Sequence, residues 1–321
     1  MNRINFILIF FIFIGCEQNE IPIEKHPIGE IETIQINMES NYSKQIFFSL
    51  NDKNGIIENI KTEWDLGFEA SKNGNKIIIN SSTFSQISIL EDGNFDDPII
   101  IEDLIWQWDN PKGIENGTAF NTNQINSTYI LDRGYNIDGT KRGYRKIRID
   151  SINDNSYFFS YSNLDNTNLN NFEIKKDSLL NFQYFSFNTN NIANIEPKKN
   201  NWDLVFTQYT HLYPNNIETP AYLVTGVLTN YLNNVIVAID SLNSFDSISI
   251  DLINSYNFSN FQDKIGYNWK FFNFDSQTYT VKPEITYIIK DISNRYYKLH
   301  FIDFYNDLGE KGYPKFEIQE L

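Results

Sequence analysis

Trp64-Asp65-Leu66-Gly67-Phe68 and Trp202-Asp203-Leu204-Val205-Phe206 are two copies of one motif, and what surrounds them decides the fold. Each copy follows an aromatic strand at almost the same interval: Phe47-Phe48-Ser49-Leu50 in the first case, Tyr184-Phe185-Ser186-Phe187 in the second. Each unit also closes alike. Thr128-Tyr129-Ile130-Leu131 leads to Tyr144-Arg145-Lys146-Ile147-Arg148-Ile149, and Thr286-Tyr287-Ile288-Ile289 leads to Tyr296-Tyr297-Lys298-Leu299-His300-Phe301. Four segments recurring in one order mark a duplicated domain, because the period is far longer than the ~20–50 residues of solenoid repeats.

Both copies read as β. Alternation with period two is clear from Tyr144 to Ile149, strand formers dominate, and turn residues interrupt them at short intervals. The expected fold is therefore all-β, with two tandem antiparallel domains. Residues 44–175 form the first domain with its linker, and 176–321 form the second. The polar run Asn163 to Asn171 reads as the linker itself. Trp64 and Trp202 are expected as core anchors, with Leu66, Phe68, Leu204 and Phe206 continuing the same face. Asp65 and Asp203 are expected to satisfy backbone donors at a strand or turn edge. Lys146 and Lys298 fall opposite the core positions and read as a solvated edge. The run Asp132 to Gly139 has calcium-loop oxygen donors but no distal glutamate, so a hairpin turning at Asp138-Gly139 is the stronger reading.

Composition narrows the function. The 321 residues carry a net charge of -15, which repels phosphate backbones and disfavours nucleic-acid binding. At 41% hydrophobic and 16% aromatic residues, neither unit is disordered. No paired-carboxylate or nucleophile-base motif is visible, so no catalytic residue and no enzyme activity are expected, and no metal site is assigned. At the N-terminal end Arg3 precedes an apolar run from Phe6 to Ile14, with Gly15-Cys16 directly after it. Residues 1–15 read as a signal peptide, too short for the ~20 apolar residues of a membrane span. A small residue before the chain's lone cysteine resembles the lipobox of bacterial lipoproteins, which implies lipidation of Cys16. Residues 16–43 then read as the lipidated cysteine and a tether.

The second unit resembles the HmuY-like haem-binding lipoproteins. The likeness is carried by the Tyr-Phe-Ser-Phe strand, by Asn201-Trp202-Asp203-Leu204, by the late strand Lys298-Leu299-His300-Phe301-Ile302-Asp303-Phe304, and by a last strand from Tyr313 to Ile318. It spans about residues 180–321, and the first unit repeats it more loosely over about 44–162. The resemblance implies an all-β protein lipid-anchored on the outer membrane, facing the cell surface or the periplasm. It also implies capture of haem or another ligand for delivery to a TonB-dependent receptor, in the service of iron acquisition. The other reading keeps the fold without haem, as a structural or interaction lipoprotein that binds a protein or glycan. Haem iron held by protein on both sides needs two axial donors. Beyond the signal the chain offers His26, His211, His300 and Met38. Where the family carries an axial histidine, after a Trp-x-x-Phe strand, this chain has Trp269-Lys270-Phe271-Phe272-Asn273-Phe274, with Phe274 in the histidine's place. His211, His300 or a tyrosine remain as the ligand candidates of the second unit.

Overall fold

The computed structural model describes residues 28–53, 57–90, 94–97, 99–102, 104–114 and 117–321. The expected signal peptide, Cys16 and His26 lie outside these residues. The first repeat supplies β1 (Glu32–Gln35), β2 (Lys44–Phe48), β3 (Ile57–Ile60), β4 (Leu66–Glu69), β5 (Ile77–Ile79), β6 (Gln86–Leu90), β7 (Thr128–Asp132), β8 (Tyr144–Ile152) and β9 (Ser156–Ser162). The second supplies β10 (Asn170–Lys175), β11 (Phe182–Ser186), β12 (Asn191–Ala193), β13 (Leu204–Leu212), β14 (Ala221–Thr229), β15 (Ile236–Asp240), β16 (Lys270–Asn273), β17 (Thr278–Val281), β18 (Thr286–Lys290), β19 (Tyr296–Tyr305) and β20 (Lys311–Glu320). Every pairing is antiparallel, as the sequence led us to expect.

The sheets do not respect the expected boundary between residues 175 and 176. One lobe combines the sheets β10-β9-β8-β7-β6 and β12-β11-β4-β5, and the other combines β1-β20-β19-β18-β15 and β14-β13-β2-β3. Each repeat therefore gives its opening strands to the other. The exchange is reciprocal in register: Phe185 of β11 faces Leu66 of β4, and Phe48 of β2 faces Leu204 of β13. The two motif aspartates lock it. Asp65 Oδ2 accepts the amide of Phe187 at 2.8 Å, and Asp203 Oδ2 accepts the amide of Leu50 at 2.8 Å. Asn80 and Asn230 complete the likeness, each donating its amide group to the carbonyl of the motif tryptophan, Trp64 at 2.8 Å and Trp202 at 2.9 Å. Lobe one is consequently a continuous stretch, β4 to β12, whereas lobe two is closed by the N-terminal segment.

Two boundaries read from the sequence are corrected by this arrangement. The end of the expected tether is structural: Gly29 donates to Glu320 O at 3.0 Å, β1 pairs with β20, and Ile36 and Met38 are buried in the core of lobe two. Gly312 marks the closest approach, where an added Cβ would lie 2.3 Å from the carbonyl oxygen of Glu39. The expected linker is a hairpin, with Asn163 N bonded to Thr167 O at 2.9 Å before β10 pairs with β9. Both readings failed for one reason: polar, turn-rich composition does not distinguish an edge hairpin from a linker.

The motif strands also change face at the aspartate. Leu66 and Phe68 enter the core of lobe one and Leu204 and Phe206 that of lobe two, but Trp64 and Trp202 sit together in a third cluster on the seam. Trp64 packs edge-on against Tyr184 at 4.8 Å and Trp202 against Phe47 at 5.0 Å, so each tryptophan seals the strand received from the other repeat. Lys146 and Lys298 are buried rather than solvated. Loops cross the outer faces of the five-stranded sheets and offer carbonyls: Asp97 O at 3.0 Å for Lys146, and Phe245 O at 2.7 Å for Lys298. The ammonium groups also sit over Phe95 and Phe245. Alternation identified their face correctly, but it carries no information about a covering loop.

Removing residues up to 50 takes Ile36, Met38, Ile46, Phe48 and Leu50 out of the core of lobe two. At ~1.5–3 kcal/mol for each buried side chain, the loss is comparable to the ~5–15 kcal/mol stability of a whole domain. A chain beginning at residue 51 is expected to lose the cooperative melting of lobe two, followed by circular dichroism and by proteolysis within β18–β20. A fully cooperative melt of that shortened chain would show that the N-terminal strands are dispensable.

Candidate ligand-binding site

Between β15 and β18 the chain leaves the five-stranded sheet and builds a separate two-stranded ribbon, β16–β17. Its root is Trp269, fully buried and stacked on Phe301 at 3.9 Å. Alternation then places Lys270, Phe272 and Phe274 on one side, with Phe272 opposite Tyr279 across the ribbon. The outcome is a ladder of rings running from core to solvent. Phe304 meets Tyr279 at 5.1 Å, Tyr279 meets Phe272 at 5.1 Å, and Phe272 meets Phe274 at 5.2 Å, all edge to face. Phe274 at its tip is 83% exposed, and Phe271 on the reverse side is 46% exposed. Such rings are costly to leave in water and offer faces for a flat apolar ligand. The ribbon is held from below, where Tyr305 Oη accepts the amide of Tyr279 at 2.6 Å and Tyr42 of the N-terminal segment stacks on Phe304.

Lys270 lies at the foot of this ladder. Its ammonium donates to Thr225 O at 2.5 Å and sits 4.1 Å from the Trp269 ring and 4.7 Å from the Phe304 ring. Burial drives its pKa down to about 7. Ring faces and one carbonyl compensate only part of the hydration that the amine gives up.

The two candidate histidines are not brought together. His300 lies on the outer face of its sheet with Lys298, opposite the core residues Leu299 and Phe301. Its Nε2 is 2.8 Å from Glu317 Oε2, its Nδ1 is 3.2 Å from Pro283 O, and its ring stacks on Phe245 at 4.1 Å. Both nitrogens are therefore engaged. His211 shares the parity of Val205 and Tyr209 on β13, on the seam side, away from the core of lobe two. Tyr213 and Tyr267 meet its ring edge-on at 4.9 and 5.0 Å, its buried Nδ1 has no partner, and burial pushes its pKa down. A core separates the two imidazoles, so they cannot flank one haem. Phe274, in the place of the family histidine, contributes a ring instead. Among the described residues no group of three His, Cys, Asp or Glu side chains is placed to hold a metal ion.

The seam between the lobes encloses a cavity of about 110 Å³, walled by Phe47, Trp64, Tyr184, Trp202 and Tyr209. Ligand pockets span roughly 300–1,000 Å³, so this one is too small for a porphyrin. Its polar lining belongs to the strand exchange. Glu196 accepts the amide of Phe182 at 2.8 Å, and burial pushes its carboxyl up to about 8. Trp64 Nε1 donates to Gln45 at 2.9 Å, but the equivalent position beside Trp202 is Phe182, and Trp202 Nε1 has no partner.

The hairpin reading of Asp132 to Gly139 matches the structure: Tyr135 pairs with Lys141, and Asp138 Oδ1 accepts the amide of Thr140 at 3.0 Å. Asp65 and Asp203 act on backbone amides, as described above. The sequence reading missed the role of the ribbon, although Trp269 to Phe274 was visible as an aromatic run. It also missed Lys270, whose burial depends on Phe304 and Tyr279 from distant strands.

The fold is an antiparallel all-β assembly of two lobes with an exposed aromatic arm. Residues 178–318, within the second repeat, match the model of the HmuY protein family. No curated protein matches the sequence. Among solved structures it is similar to Apo PinO from Porphyromonas gingivitis, at 9% identity over 91% of this chain and 98% of that one, with a TM-score of 0.35. It is also similar to the Tannerella forsythia Apo HmuY analog (TFO), at 8% identity over 92% of this chain and 98% of that one, with a TM-score of 0.26.

Lys270 gives a pH signature. Its pKa is about 7 in the fold against an ordinary 10.5, so the folded state binds fewer protons within that window. The stability it contributes is present above the unfolded pKa and is lost as pH falls through the folded one. Lys270→Met is expected to be more stable than the parent at pH 7, with the gap narrowing towards pH 10 in urea denaturation. A gap that stays constant across that range would mean the amine is solvated.

Proposed function

We propose that this chain is a lipid-anchored, non-catalytic binding protein of the outer membrane. It holds a flat apolar ligand, haem among them, against ribbon β16–β17 for transfer to a TonB-dependent receptor. The observation that carries this reading is the exposed ring ladder ending at Phe274. β20 starts at Lys311, beside the ribbon, and ends at Glu320, where Gly29 is bonded and the chain leads back towards Cys16. At ~3.3 Å per residue, such a strand separates the two ends by roughly 30 Å. The ribbon thus stands at the opposite end of β20 from Gly29. Retention rests on ring stacking, since His300 is engaged and His211 faces another way. The same engagement of His300 favours the second reading, an interaction lipoprotein whose rings meet a protein or glycan.

Haemin titration separates the two. The parent protein is expected to give a saturable Soret change, Phe272→Ala with Phe274→Ala to weaken it about tenfold, and His300→Ala to leave it unchanged. A featureless response, or one indifferent to the phenylalanines, would sink haem capture and favour the interaction reading. The anchor is tested independently. Two acyl chains on Cys16 suffice for stable attachment, so Cys16→Ala is expected to leave the membrane fraction or to accumulate unprocessed. A processed Cys16→Ala protein retained in membranes would exclude lipidation as the attachment.

A further inference from the structure

The loop joining β7 to β8, with the start of β8, brings together three arginines around one buried carboxylate, Asp65. Arg133 Nε donates to Asp65 Oδ1 at 2.9 Å and its Nη2 to Asp65 Oδ2 at 3.1 Å, and Arg142 Nη2 lies 2.9 Å from the same Oδ1. Arg145 is the third guanidinium. It sits over the Phe187 ring at 5.8 Å, and Arg133 sits over the same ring at 5.7 Å. Its Nη1 donates to Tyr144 O at 2.7 Å, and among the described residues no carboxylate lies within ion-pair reach of it. Asp132, the nearby carboxylate of the loop, is occupied by Lys141 at 3.2 Å and by the amide of Gly134 at 2.9 Å. Arg142 Nε is buried without a partner. Arg133 and Arg142 also donate to the carbonyls of Arg142, Arg133, Thr62 and Trp64, so the half-buried Arg145 is the guanidinium left without a carboxylate partner among the described residues.

The rim is rich in donors and poor in acceptors. Asn188 Oδ1 accepts Arg133 Nη2 at 2.6 Å, and because arginine only donates, the exposed amide nitrogen of Asn188 is left pointing elsewhere. Asn190 Oδ1 meets the hydroxyl of Tyr161. The fold itself does not require these charges. In lobe two the positions equivalent to Arg133 and Arg145 are Asp291 and Tyr297, yet Asp203 holds Leu50 at the same 2.8 Å at which Asp65 holds Phe187.

We propose that Arg145, with Arg133 and Asn188, forms an oxyanion-binding site on lobe one that takes a single carboxylate or phosphate group. The guanidinium fork of Arg145 receives two oxygens, and the amide nitrogen of Asn188 receives one. The excess charge of the cluster supplies the attraction at short range, where the net negative charge of the chain is screened beyond ~10 Å. The site is separate from the ribbon and does not depend on ligand capture there.

Calorimetric titration of the full-length protein with inorganic phosphate and with succinate, at constant ionic strength set by chloride, tests it. Saturable heat is expected with at least one, and which of them binds names the source of the oxyanion. Arg145→Gln is expected to weaken binding at least tenfold, and Arg145→Lys to restore part of it by keeping charge without the fork. Lys141→Gln, on the same loop, is expected to leave binding intact. Each variant is first checked for an unchanged melt in chloride, and Asn188→Ala serves as a second probe should Arg145→Gln unfold. No saturable heat with either anion, or equal losses in Lys141→Gln and Arg145→Gln, would overturn the site.

Discussion

Two hydrogen bonds of 2.8 Å, Leu50 to Asp203 and Phe187 to Asp65, hold the molecule in its exchanged form. Each ties the strand of one repeat to the motif of the other, and each lies next to a tryptophan that covers the junction. The bonds are buried, so their loss would strand a carboxylate or an amide without water, at ~1–3 kcal/mol or more for each group. Once they are set, the rest follows from alternation. Phe48 points into the core of lobe two and Phe185 into that of lobe one, and the outer residues of both four-stranded sheets meet on the seam. The duplication is therefore a joined object. Lobe one closes within one stretch of chain, whereas lobe two requires the N-terminal strands.

The repeat makes the all-β class and the identity of the repeating segments legible in the sequence. It hides the exchange, because an aspartate that caps its own repeat and one that caps the other are spelled alike. Periodicity has a similar limit. It separates the face of Lys298 from that of Leu299, but it cannot show that Phe245 and Ile248 will cross that face and accept the ammonium. For the candidate site the sequence offered residue types without partners. His300 is a histidine on a strand until Glu317 and Pro283 are seen to hold both nitrogens. Phe274 is a missing histidine until Phe272 and Tyr279 make it the end of a ladder.

The lobes share a scaffold and differ in charge. Asp65 has two arginines, whereas Asp203 has Asp291 nearby, and burial together with that neighbour pushes the carboxyl of Asp203 up to about 6. Asp291 is itself held by Arg295 at 2.9 Å, and Arg295 reaches Asn51 next to the exchanged strand. The same backbone junction is thus met by opposite electrostatics. This is possible because the amide of Leu50 or Phe187 needs only one carboxylate oxygen, leaving the other free to be tuned by its surroundings.

The N-terminal segment links the fold of lobe two to the ribbon. It enters at Glu320 and runs along β20 to Gly312, then turns through Glu39 and Tyr42, both at positive φ. That strained turn is sustained because Tyr42 stacks on Phe304, the innermost ring of the ladder, with the Lys311 ammonium 5.3 Å from its ring. The exposed rings at one end of β20 therefore rest on the same segment that pairs along the strand to Glu320 at its other end. A ribbon seated in this way keeps its outer phenylalanines in place without a second sheet behind them, since Tyr305, Phe304 and Tyr42 fix Tyr279, and Tyr279 fixes Phe272 across the pair.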